Sequence, residues 1–288
     1  MAKSPTHRFG QIIGEALEAA IEPLLTRFAE EHHLYLDRKG KRLARQGNKV
    51  TWLDKNGNKH DLDFVLERGG SAEKIGTPVA FIEIAWRRYT KHSRNKAQEI
   101  QGAVIPLAET YESSAPFLGA VLAGVFTEGA LAQLKSLGFS VVYFPYETIV
   151  TAFRGVGIVA AYDEDTPDAE CAEKIRAWEA LPKKKRASLA RTLLKACERD
   201  MQDFMARLTG TVSRKVEVVR VLALHGTASE LTSIEEAIRF VEGYKESDGS
   251  KAFAGYEIQV RYNNGDYIDG RFANKAAAVQ FLATYRRA

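Results

Sequence analysis

A chain of 288 residues with 45% apolar and 27% charged residues has the balance of a folded globular protein, which excludes disordered, collagen-like and disulfide-scaffold classes and leaves room for two cores. Its 41 Lys+Arg against 37 Asp+Glu leave a net charge of +4, compatible with a polyanionic partner but too small to require one. Two cysteines without paired spacing, Cys171 and Cys197, argue against a zinc module and for a cytoplasmic setting, and no apolar run or signal core near Met1 to His7 indicates a membrane span or secretion.

Apolar residues at Phe9, Ile12, Ile13, Ala16, Leu17, Ala20, Ile21, Leu24, Leu25 and Phe28 predict an amphipathic helix. Glu15, Glu18 and Glu22 lie on or beside its polar face, and Pro23 is placed to kink its last turns. The basic, glycine-bearing run Asp37 to Gln46 reads as a loop. Val50 to Leu53 then reads as a strand, Asn56-Gly57 as a hairpin turn, and His60 to Glu67 as the returning strand. That strand alternates Leu62, Phe64 and Leu66 with Asp61, Asp63 and Val65.

After a glycine-rich connection, Val79 to Trp86 predicts a third strand, with Ile82, Ile84 and Trp86 on one face and Phe81, Glu83 and Ala85 on the other. The three strands make a meander with one core face and one acid-bearing face. Ser93 to Thr110 reads as a helix capped by Ser93. A strand (Leu118 to Phe126), a short helix (Gly129 to Leu137) and another strand (Ser140 to Tyr146) follow.

A polar stretch, Tyr162 to Ala169, marks a boundary. Glu170 to Leu208 predicts two helices broken near Leu181-Pro182. The remainder reads as β-α-β-β-α over Val216 to Leu224, Ser233 to Tyr244, Tyr256 to Tyr262, Tyr267 to Phe272 and Lys275 to Tyr285. No internal repeat is evident. The expected organisation is an α/β domain over 1–162, a helical connector over 163–210 and a small α+β domain over 211–288.

Asp63 stands six residues before Gly69 and Glu83 five after Pro78, so a one-residue bulge makes them neighbours across antiparallel strands. Facing carboxylates repel unless a cation lies between them, and oxygen-only ligation suits Mg²⁺, with Mn²⁺ as a substitute. Such an ion lowers the pKa of bound water and polarises a phosphoryl oxygen, the chemistry of phosphodiester hydrolysis.

The run Leu62-Asp63-Phe64 with Phe81-Ile82-Glu83-Ile84-Ala85, in this order of elements, resembles the PD-(D/E)xK nuclease superfamily, whose core is a helix, a three-strand meander, a helix and a further strand. The resemblance covers roughly the first half of the chain and implies a restriction-endonuclease-like α-β-β-β-α-β core. It also implies a metal held by Asp63, Glu83 and the main-chain carbonyl of Ile84. In that family a lysine two residues after the glutamate helps activate water; here Ala85 holds that place. Leu62 stands where the family usually has proline.

Three readings of Ala85 are open: deliberate inactivation, which we prefer on sequence grounds, migration of the lysine to Lys91 or Lys96, or a non-cleaving descendant. The family often recruits an acid from the first helix, and Glu18, one turn after Gly14, is the candidate; the alternative is that the acids merely solvate the helix. Arg87, Arg88, Lys91, Ser93, Arg94 and Lys96 form the expected phosphate-binding run, with a solvated charge run as the alternative. The implied activity is Mg²⁺-dependent cleavage of double-stranded DNA in restriction or defence, with a homodimer compatible with two scissions. A non-catalytic DNA-binding protein and an RNA-processing nuclease are the competing readings.

Overall fold

The computed structural model describes residues 4–224, 226, 228–247 and 252–286, apart from the side chains of Lys91 and His92. The chain divides into two compact units: residues up to Tyr111 with Pro116–Thr209, and Glu112–Ala115 with the residues from Gly210 onward. The protein is of mixed α/β class, and each unit has its own sheet and core.

The first helix, α1 (Pro5–Glu31), starts where the Ser4 hydroxyl accepts from the His7 N–H and Pro5 supplies its preset φ, and it runs through Pro23 without ending. Its buried residues, Phe9 through Ala29, repeat at helical spacing and cover the sheet. Next comes β1 (Leu34–Arg38), whose last two residues fall in the stretch expected as loop. It gives little sequence signal because it is short and ends on Asp37 and Arg38. Asp37 is tolerated in the interior because Arg42 and Arg45 both pair with it.

The next two strands, β2 (Val50–Leu53) and β3 (Lys59–Leu62), form a hairpin in a sheet of its own. Its turn is fixed by Asp54, whose carboxylate is held well below the usual carboxylate range by hydrogen bonds from His60 first, then from the Asn58 amide and from the N–H groups of Asn58 and Asn56. The chain then breaks at Asp63 and enters β4 (Phe64–Arg68) of the main sheet. The expected single strand from His60 to Glu67 is therefore two strands in two sheets. The meander of the main sheet is β1, β4 and β5 (Thr77–Arg87), not one that includes Val50 to Leu53.

After α2 (Thr90–Thr110), the strand β6 (Phe117–Gly124) lies parallel to β5. The helix α3 (Glu128–Ser136) leads to β7 (Ser140–Pro145), parallel to β6, so the sheet order is β1-β4-β5-β6-β7. Central β5 is buried on both faces. The face with Phe81 and Ala85 packs with Ala97, Ile100 and Val104 of α2, so the face expected to carry acid outside the core is itself a second core face, with Glu83 on it. Gly124 has φ +100°, and a Cβ there would lie 2.0 Å from the Arg87 carbonyl oxygen, so only glycine lets β6 end against β5.

Four helices follow: α4 (Tyr146–Arg154), α5 (Asp168–Glu179), α6 (Lys183–Ala196) and α7 (Glu198–Val212). Of these, α4 was not anticipated, and the stretch expected as two helices contains a second break at Cys197. The predicted connector is part of the first unit, with α5 and α6 packed on α1 and α6 on α4.

The second unit contains β8 (Val216–Ala223), β9 (Ala228–Leu231), α8 (Ile234–Gly243), β10 (Tyr256–Tyr262), β11 (Tyr267–Phe272) and α9 (Lys275–Thr284), with sheet order β11-β10-β8-β9. It is a duplicated ββα unit, which corrects the expectation of no internal repeat. Adding 39 to residue numbers carries the Leu222–Ala228 pair onto Arg261–Tyr267 and the Val219–Leu231 pair onto Ile258–Gly270. In the helices the offset is 41: Ser233 caps α8 at Glu236 and Asn274 caps α9 at Ala277. The Arg220–Gln259 pair, each residue equivalent to the other, marks a pseudo-twofold between β8 and β10.

Candidate functional site

Asp63 sits at the break between β3 and β4, one residue before the Phe64–Ile82 pair, so the register carried one step further sets it opposite Glu83. The register shifts by one between Leu66 and Glu67, the irregularity that the residue count required. The Asp63 Oδ2 accepts the Ile84 N–H at 2.7 Å, which ties the aspartate to the strand bearing Glu83. Glu83 is 6% exposed, and its Oε1 is buried with no hydrogen-bond partner. Such an atom is costly unless something outside the described residues satisfies it.

Burial, and next the charge of Asp63, push the Glu83 carboxyl up to about 8, while Lys96 and the Asp63 main-chain N–H pull it back. Burial likewise raises Asp63, opposed by the Ile84 N–H, Lys96 and Lys39. On α1, Glu15 pairs with Arg8 and Glu22 with Arg38, whereas half-buried Glu18 is raised to about 7, first by burial and next by the charge of Asp63. Three acids from α1, the β3–β4 break and β5 thus act on one another, and Lys96 of α2 and Lys39 of the β1–β2 loop act on them with opposite sign. They are near one another without being closed around a point: among the described residues, no three acids, histidines or cysteines are already gathered as ligands. A Cβ on Gly14 would meet nothing within 4 Å, so that glycine is not what lets Glu18 approach.

Ala85 is 3% exposed in the core beside Phe81, Ala97 and Leu122. Lys96, by contrast, keeps its side chain 20% exposed, lies 3.4 Å from Glu99, and is the lysine of α2 whose charge reaches both Asp63 and Glu83. The Lys91 side chain lies outside the described residues.

The basic run divides. Arg94 is exposed, and Arg87 is half-buried between the Trp86 carbonyl and Glu99. Arg88 donates to the Tyr162 carbonyl and stacks 4.1 Å over the Tyr146 ring, so it braces the fold. Ser93 is not the cap: α2 begins at Thr90, and the buried Ser93 hydroxyl donates to the Thr90 carbonyl, leaving no hydroxyl for a phosphate.

Lys39 was not foreseen, because a lysine in an irregular basic stretch carries no spacing signal. Its relation to Asp63 arises from the pairing of β1 with β4.

No known sequence family matches the chain, and no curated protein matches it either. A solved structure titled as that of a protein of unknown function, AF1548, aligns with 66% of this chain and 99% of its own at 12% identity, with a TM-score of 0.28. A likeness of that degree carries no argument about fold or function. Among the described residues no helix is long and apolar enough to cross a membrane.

Proposed function

We propose that the first unit is a metal-dependent DNA endonuclease with a restriction-endonuclease-like core of the PD-(D/E)xK type. The observation that carries this reading is that Asp63 and Glu83 face each other across β4 and β5 with one Glu83 oxygen buried and without a partner, while Glu18 of α1 is near enough for its charge to act with theirs. Buried acids that raise one another's pKa are destabilising unless they hold a cation, and an all-oxygen set fits Mg²⁺ or Mn²⁺. Asp63 and Glu83, with the Ile84 carbonyl, would hold the ion and Glu18 would supplement them. When bound, the ion supplies Lewis acidity toward a phosphoryl oxygen and acidifies water.

The chain's own residues do the rest. The Ile84 N–H orients Asp63, and the ammonium of Lys96 favours the ionised carboxylates. In this reading Lys96, whose charge acts on both carboxylates, would hold water or the scissile phosphate, the role that a lysine at position 85 would otherwise fill. The burial of Ala85 favours migration of the lysine over inactivation, reversing the preference drawn from sequence, because a lysine there would enter the packing of β5 against α2. Arg87 and Arg94 remain the candidate phosphate contacts on duplex DNA, and a defence role is the corresponding setting.

The test is Mg²⁺-dependent cleavage of plasmid and phage DNA, with duplex RNA alongside. The wild-type chain should cleave DNA, Glu83→Gln should abolish cleavage, and Lys96→Ala should reduce it by about 100-fold or more. Cleavage by Ala85→Lys alone would restore the inactivation reading. No cleavage by any form, with duplex still bound, would favour a non-catalytic binder.

A further inference from the structure

The segment joining β1 to β2 is irregular in backbone yet fastened along its length. The Gly40 N–H donates to the Asn48 carbonyl at 2.8 Å and the Ala44 N–H to the Ala72 carbonyl at 2.9 Å. Arg42, its side chain 2% exposed, pairs with Asp37 at 2.9 Å, grips both Glu67 oxygens, and donates to the carbonyls of Ser71 at 3.0 Å and Lys74 at 2.8 Å. Arg45 takes Asp37 from the other side and donates to the Arg38 carbonyl at 2.8 Å. Between these arginines Leu43 is 83% exposed.

A lone exposed leucine calls for no explanation. The inversion of the loop does: its arginines point inward and its leucine outward. Buried ion pairs are a poor route to stability and a good way to fix geometry, so this loop is held in a set shape with Leu43 as its projection. The charge pattern identifies the surface it meets. From Arg38 to Leu53 there are six cationic residues and no acidic one. Lys39 and Lys41 are exposed, and Lys39 directly follows Arg38, which pairs with Phe64 next to Asp63, so the loop borders the carboxylates.

We propose that the Lys39–Asn48 loop engages duplex DNA beside the carboxylate cluster, with Lys39 and Lys41 on backbone phosphates and Leu43 as an apolar wedge between bases in the minor groove. This rests on the nuclease reading above and adds a recognition element to it.

The test uses the full chain carrying Leu43→Trp, titrated without metal at low salt with a mixed-sequence 30-base-pair duplex whose binding is followed by anisotropy of a labelled end. Trp52, Trp86 and Trp178 are 5%, 8% and 8% exposed, so a change in indole emission reports position 43. Stacking on a base should quench that emission about twofold as the duplex saturates. The Lys39→Ala/Lys41→Ala pair should reduce the slope of log affinity against log salt by about 2, for two phosphates released. Duplex that binds with indole emission unchanged overturns the wedge and leaves the nuclease reading standing. A wild-type chain that binds no duplex at low salt overturns both.

Discussion

Glu83 and Glu18 give the site a pH signature. A carboxyl whose folded pKa stands above its unfolded value near 4.5 holds its proton more tightly when folded, so its contribution to stability is present at low pH and is lost as pH rises through about 7 for Glu18 and about 8 for Glu83. The metal-free protein should therefore melt at a lower temperature at pH 8 than at pH 5. Mg²⁺ should raise the melting temperature at pH 8 and do little at pH 5, where the acids hold protons. Glu83→Gln should raise the metal-free melting temperature at pH 8 and remove the Mg²⁺ response. Calorimetry at the two pH values checks all three, and a flat pH profile would contradict the picture of a charged, desolvated cluster. Ala85→Lys should cost about 1–3 kcal/mol in a denaturant titration, because an ammonium would displace apolar packing. The pairing of Asp63 with Glu83 was legible from counting alone, since register in a hairpin is a matter of residue number. Sequence alone leaves Lys91 and Lys96 as equal candidates, because a helix residue's reach depends on where the helix starts, and α2 starts at Thr90 rather than after Ser93; the structure adds that the charge of Lys96 acts on both carboxylates.

Among the elements, the long amphipathic helix, β5, α2, β6 and β7 were readable because each has length or periodicity enough to signal itself. The losses were short pieces defined by partners far away in sequence. β1 exists because β4 pairs with it and because Arg42 and Arg45 neutralise its buried Asp37. The alternation from His60 continues through Asp63 and so predicts one strand, whereas the backbone changes sheets there. Arg42 should be the most sensitive position of this region. Arg42→Ala leaves Asp37 and Glu67 buried without their shared partner and should cost about 3–5 kcal/mol by denaturant unfolding, and if the loop engages DNA as proposed, duplex binding should fall with it. The surface pair Lys55–Glu109, at 3.2 Å and more than half exposed on both sides, is the control: Lys55→Ala should change stability by less than about 1 kcal/mol.

For the molecule as a whole, two separate cores predict independent responses. Leu282→Ala, at a fully buried position of the second core, should destabilise that unit by about 2–5 kcal/mol and leave the Mg²⁺-dependent melting shift of the first unit in place. Two resolved calorimetric transitions, of which only one moves, would be the expected record. The duplication in the second unit escaped the sequence because the two halves share caps and buried positions rather than residues. Ser233 corresponds to Asn274 and Val241 to Leu282, while β9, with four residues, is too short to announce the second strand of its half.

That duplication makes the connectivity of the second unit interchangeable. The pseudo-twofold carries the gap from Gly243 to Tyr256 onto the gap from Thr284 to Glu217, so a linker long enough for the first is long enough for the second. A circularly permuted form of this unit, closed from the end of α9 to the start of β8 and opened between α8 and β10, would keep every strand pair and the unit's single core. The order in which the chain visits the two halves is a historical choice that the sheet itself does not record.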